Sequence, residues 1–135
     1  ERHLEILNKN YVEAGVEGEL VVFIEEMAVK YSECDLVICR AGALTVAELS
    51  SAGIASILVP FPYAVDDHQT YNAKFLSSHG AAVLLPENEL TPDGLANLLL
   101  ELTRERLLEM AIKARELATP NATRIVAEEC MEIIK

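Results

Sequence analysis

A chain of 135 residues with 22 acidic against 11 basic side chains has a formal charge of -11, and 51% of its residues are hydrophobic. That is material for one compact domain with its own core, and the acidic balance argues against a nucleic-acid partner or a face lying on anionic lipid. No apolar run approaches the roughly 18 residues that cross a bilayer, and no basic-then-apolar leader is present, so direct membrane insertion by this chain is not expected. Cys34, Cys39 and Cys130 form an odd set without a Cys-x-x-Cys pair. This argues against a disulfide framework or a zinc site and suits a reducing cytoplasm. Cys39 and Cys130 read as small buried hydrophobes.

The spacing of Leu4, Ile6, Leu7, Tyr11 and Val12 predicts an opening helix ended by Gly15 and Gly18. Residues 20–24 form an apolar run of β-branched character and predict a strand, followed by one or two helical turns over 25–31 with acidic residues at their start. Residues 36–39 predict a second strand, 40–43 a small-residue turn, 44–52 a helix stopped by Gly53, and 54–59 a third strand ended by Pro60 and Pro62. A turn-rich loop with Asp66 and Asp67 leads into a helix over 68–79, with Gly80 as its stop and Asp67 as its cap. Residues 81–85 predict the fourth strand. Thr91 and Pro92 mark a helix start, and helices follow over 93–102, 104–117 and 122–134, the last with an apolar stripe of Ile125, Val126 and Ile133.

Strands alternating with helices indicate an α/β domain of doubly wound, Rossmann-like type, with about four parallel strands and helices on both faces. Ligands in such folds collect at the carboxyl ends of the strands, which here gather Phe23 and Ile24, the turn from Arg40 to Thr45, and the loop and helix from Phe61 to Asn72. Gly42 allows close approach of a ligand to the backbone, and the amides of Ala43, Leu44 and Thr45 open a helix whose positive end favours an anion such as a phosphate. Leu44, Thr45 and Glu48 share one face of that helix, where a carboxylate can accept hydrogen bonds from a sugar diol. Thr45 and Glu48 equally fit a capping box that satisfies amides at the helix start.

Asp66, Asp67, His68, Gln69 and Asn72 are the densest polar cluster in the sequence. With no second His or Cys at ligand spacing, a polar loop and helix start is favoured over a metal site. Gln69 and Asn72, three apart, share a helix face, and their neutral amides suit sugar hydroxyls; an ordinary surface helix tolerates them as well. His79 at a helix end favours the dipole.

Cys39-Arg40-Ala41-Gly42-Ala43-Leu44-Thr45-Val46-Ala47-Glu48 and the stretch Val59-Pro60-Phe61-Pro62-Tyr63-Ala64-Val65-Asp66-Asp67-His68-Gln69-Thr70-Tyr71-Asn72-Ala73 closely resemble the C-terminal half of the MurG family. These are UDP-N-acetylglucosamine transferases that form lipid II from lipid I in peptidoglycan synthesis. The resemblance runs from about Tyr11 to the end of the sequence. It implies an inverting hexosyltransferase of the two-domain GT-B fold, of which residues 1–135 match the donor-binding domain.

The residue roles that follow are those the resemblance implies. The backbone at Phe23 and Ile24 would hold uracil, with Met27 nearby. The turn of Gly42, Ala43, Leu44 and Thr45 would receive the diphosphate, with Arg40 in support. Glu48 would bind the ribose hydroxyls, and Gln69 and Asn72 would surround the N-acetylglucosamine. His68 stands where some relatives have glutamine. Catalytic residues, and the contact with the lipid I acceptor, would belong to an N-terminal domain expected to precede Glu1. No protein-bound metal or other cofactor is implied. The whole protein would be cytoplasmic and peripheral on the inner membrane. Two other readings stay open: a separately encoded donor-binding subunit, as in some eukaryotic-type UDP-N-acetylglucosamine transferases, and a nucleotide-binding module without transferase activity.

Overall fold

The structure is a computed structural model that describes residues 2–134. Its contacts divide into two compact units, residues 1–30 and residues 31–135, with the division falling inside a helix.

In the first unit, α1 (Arg2–Ala14) stops at Gly15, and the Val16 N–H closes it on Tyr11 O at 3.0 Å. Residues 16–26 then run without regular structure into the start of α2 (Met27–Glu33). The strand expected over residues 20–24 is therefore absent. Val21, Val22 and Phe23 are 47%, 73% and 78% exposed. β-branched character stabilises a strand only where the side chains pack on a pleated, half-buried surface.

The second unit is built on a parallel three-stranded sheet in the order β1 (Leu36–Cys39), β2 (Ala55–Leu58), β3 (Ala82–Leu84). Leu36 stands opposite Ala55 and Cys39 opposite Leu58; Ser56 stands opposite Ala82 and Leu58 opposite Leu84. The expected parallel sheet is present with one strand fewer. Between the strands lie α3 (Ala43–Ala52) and α4 (His68–Ser77), and after β3 come α5 (Pro92–Glu101), α6 (Arg104–Glu116) and α7 (Ala122–Ile133).

Strand alternation sorts the core into two layers. Val37, Cys39, Leu58, Ala82 and Leu84 pack with Val46 and Leu49 of α3 and with Ala73 and Leu76 of α4. Ala55, Ile57, Leu36 and Val83 pack with Leu95 and Leu98 of α5 and with Leu107 and Met110 of α6. Helices thus cover both faces, and every residue of β2 is buried. Gly53 ends α3 in the left-handed region at φ 70°, its N–H shared between Leu49 O at 2.9 Å and Ser50 O at 3.2 Å. That conformation is strained for any residue with a Cβ, which would also sit 3.1 Å from the Arg115 Cβ. As expected, Thr91 caps α5, its Oγ1 accepting from Gly94 N–H at 3.1 Å with Pro92 in the first turn.

Two further expectations change. The apolar stripe of α7 is exposed at Ile125, Val126 and Ile133, and Cys130 on the same helix is exposed rather than buried. Helical periodicity sets which residues share a face, whereas burial needs a second surface against it. Cys39, at the end of β1, is half-buried, and burial pushes its thiol up to about 11. Among the described residues no helix is long and apolar enough to cross a membrane.

Ser56, fully buried at the centre of β2, has a hydroxyl with no hydrogen-bond partner among the described residues. A buried, unpaired hydroxyl is destabilising, so Ser56→Ala is expected to match or exceed the parent stability, by up to about 1 kcal/mol in urea titrations. A loss of that size instead would show that the hydroxyl is satisfied.

Candidate functional site

At the carboxyl end of β1, the chain makes a three-residue turn and enters α3. Gly42 is the N-cap, extended at φ -64° and ψ 147°, and no side chain caps the helix. The Val46 N–H, bonded to Gly42 O at 3.0 Å, opens the helical ladder, leaving the amides of Ala43, Leu44 and Thr45 ahead of it at the positive helix end. Nothing in the backbone requires glycine at 42, since its φ is open to every residue. Packing does not require it either: an added Cβ would meet only Thr45 Oγ1, at 3.4 Å. The approach to the helix start at Gly42 is therefore open.

The start of α3 at Ala43 rules out the capping box. Thr45 and Glu48 lie inside the helix, beyond the position from which a Ser or Thr cap and its Glu partner reach the free amides. Glu48 instead accepts a hydrogen bond from the Tyr31 hydroxyl at 3.1 Å. Tyr31 packs against the core layer under α3. Its phenol is pushed up to about 12, first by burial and then by the hydrogen bond to Glu48 and the charge of that carboxylate. The exposed Glu48 carboxylate is thereby held from one side, with acceptor capacity left over for hydroxyl donors.

The other wall comes from the loop after β2 and from α4. Asp66 and Asp67 are both left-handed, at φ 52° and 53°, a conformation that Asp tolerates better than most residues. Asp67 does occupy the N-cap position of α4, yet its carboxylate accepts from the Thr70 hydroxyl at 2.6 Å rather than from an amide. His68 is exposed, with Nδ1 2.7 Å from Val65 O. Gln69 and Asn72 turn towards the β1 turn: Gln69 Oε1 accepts from Ala41 N–H at 3.2 Å and Phe61 N–H at 3.0 Å, and Asn72 Nδ2 donates to Ala41 O at 3.0 Å.

Arg40 braces the same two loops. Its guanidinium donates to Pro60 O at 3.2 Å, pairs with Glu87 and stands 5.6 Å from the centroid of the Phe61 ring. An open cleft of about 440 Å³ beside it is lined by Pro60, Pro62, Tyr63, Thr70 and Glu87. With Arg40 paired to a carboxylate, an anion at the α3 start relies chiefly on backbone amides. Among the described residues no group of three or more His, Cys, Asp or Glu side chains could hold a metal ion.

The turn from Arg40 to Thr45, Glu48, Gln69 and Asn72 therefore converge at one edge of the second unit. Phe23, Ile24 and Met27 belong to the first unit, without the strand expected to present them. Tyr31 and Glu87 were missed. They lie 17 residues from Glu48 and 47 from Arg40, separations that carry no local pattern.

The model of the glycosyltransferase family 28 C-terminal domain matches residues 1–130. The chain is 69% identical, over 98% of its length, to the UDP-N-acetylglucosamine--N-acetylmuramyl-(pentapeptide) pyrophosphoryl-undecaprenol N-acetylglucosamine transferase of Nitrosospira multiformis, and covers 37% of that protein. It is 60% identical over 98% of its length to the enzyme of the same name from Nitrosomonas eutropha, covering 38% of it. The crystal structure of Acinetobacter baumannii MurG superposes with a TM-score of 0.92 at 47% identity, over 98% of this chain and 41% of that one. The chain thus spans less than half the length of these relatives. A match over nearly all of its residues, together with the shared fold, places it: the chain belongs to the glycosyltransferase family 28 C-terminal domain family.

Proposed function

We propose that this chain is the donor-binding half of an inverting transferase that passes N-acetylglucosamine from UDP-N-acetylglucosamine to the pyrophosphoryl-undecaprenol acceptor printed in its relatives' names, forming lipid II from lipid I. An N-terminal half would supply the acceptor contacts. The whole protein would work peripherally, on the cytoplasmic face of the inner membrane, where a nucleotide sugar meets a lipid-borne acceptor. The observation that carries this reading is the uncapped start of α3 beside a glycine that neither backbone nor packing requires.

The diphosphate rests on the amides of Ala43, Leu44 and Thr45. As the glycosidic bond breaks, negative charge grows on the departing diphosphate, and donors already aimed at it stabilise that charge. Glu48 accepts from the ribose hydroxyls. The outward ends of the two amides, Gln69 Nε2 and Asn72 Oδ1, serve sugar hydroxyls, with His68 at the rim. Arg40 supports the loops that carry the phosphate turn.

Calorimetry of this chain with UDP and with UDP-N-acetylglucosamine is expected to show binding of both, beside no transfer to a lipid acceptor. Absence of UDP binding overturns the reading, as does transfer by this chain alone. Because amides carry the diphosphate charge, chelator is expected to change UDP affinity by less than about tenfold, or 1.4 kcal/mol. A larger loss would place a metal ion in the site.

A further inference from the structure

The geometry points to a second task for Gln69 and Asn72: they form a latch that aims the phosphate-binding turn, so that they govern the binding of the nucleotide itself and not only of its sugar. The inference rests on the donor-binding role proposed above for the α3 start.

Gln69 Oε1 accepts from two backbone amides at once, that of Ala41 at 3.2 Å in the turn after β1 and that of Phe61 at 3.0 Å in the loop after β2. Asn72 Nδ2 donates to the carbonyl of the same Ala41 at 3.0 Å. The N–H and the C=O of Ala41 are thus both clamped to α4, and Ala41 is fully buried. Its carbonyl belongs to the peptide that leads into Gly42, the N-cap. A fixed peptide at that point fixes the direction in which the next amides emerge.

The division of labour within each side chain supports this. A primary amide has an acceptor end and a donor end. Gln69 spends its acceptor inward and leaves Nε2 without a partner among the described residues, whereas Asn72 spends its donor inward and leaves Oδ1. Being three apart on one helix, the two share one face of α4. One turn of α4 therefore holds the phosphate turn while one hydrogen-bonding end of each amide stays without a partner among the described residues. A latch of this kind lowers the ordering required when an anion docks, which raises affinity through preorganisation.

The experiment compares UDP with UDP-N-acetylglucosamine on Gln69→Ala, beside amide hydrogen exchange. The latch predicts that UDP weakens by about tenfold and UDP-N-acetylglucosamine by at least as much, since it also loses the Nε2 contact, and that the amides of Ala41 and Phe61 exchange faster. A variant that loses affinity only for the sugar nucleotide overturns the latch, and so does wild-type exchange at both amides. Should Gln69→Ala not fold, Gln69→Glu decides. It keeps an acceptor oxygen for both amides, so their protection is expected to persist, and its loss overturns the proposal. If wild-type protein fails to bind UDP, the donor-binding role is what has failed, and the exchange comparison still judges the latch.

Discussion

Glu48→Gln is expected to leave the melting temperature nearly unchanged and to weaken UDP by about 1.5–3 kcal/mol, the range for a hydrogen bond to a charged group. Stability is spared because α3 starts at Ala43 and Glu48 caps nothing. Affinity falls because a carboxylate accepts from two hydroxyls of a diol more strongly than a neutral amide does. Two controls read the cause. The parent should prefer UDP over 2′-deoxy-UDP, and Glu48→Gln should lose most of that preference. The Tyr31 phenol, held at about 12 by burial and by Glu48, should titrate lower in the variant, while staying above its ordinary 10.0 because the burial remains. Unchanged UDP affinity beside a lowered Tyr31 titration would leave Glu48 as a partner of Tyr31 alone.

The central β1-α3-β2 unit was legible because its signals are local: an apolar run, a small-residue turn, Gly53 as the left-handed stop and Pro60 after the strand. The stretch over residues 20–24 carried an equally good strand signal and forms none. Its residues run without regular structure, because strand propensity expresses itself only through cross-strand packing that no property of the run itself reveals. The stripe on α7 failed in the same way, since periodicity names a face and leaves its cover unspecified.

Within the site, the sequence placed Gly42, Glu48, Gln69 and Asn72 at one edge, but left the capping-box ambiguity standing. Thr and Glu three apart fit a helix start or any later turn, and only the position of Gly42 as N-cap separates the two. That Gln69 and Asn72 share a face was visible. That each turns one end of its amide back onto Ala41, 28 and 31 residues away, was not. The pairs Tyr31 with Glu48 and Arg40 with Glu87 are likewise products of the finished fold. They align groups whose types, though not whose partners, could be read beforehand.

The open approach at Gly42 gives the sharpest separation of stability from binding, because Gly42→Ser is expected to move them in opposite directions. Serine is among the best N-cap residues, and the extended backbone at 42, with φ -64° and ψ 147°, is one it adopts without strain. The space is available, since a Cβ there would meet only Thr45 Oγ1, at 3.4 Å. The new hydroxyl can accept from an amide of the first turn, so denaturant titrations are expected to show a gain of a few tenths of a kcal/mol. The same hydroxyl then occupies an amide that the diphosphate needs and stands where the ligand approaches. UDP is expected to weaken by about 2–3 kcal/mol, the upper part of the range for hydrogen bonds to charged groups, or roughly 30- to 150-fold. Equal losses of stability and affinity would instead mean that glycine is needed by the fold. Retained affinity in a stabilised variant would move the anion away from the start of α3 altogether.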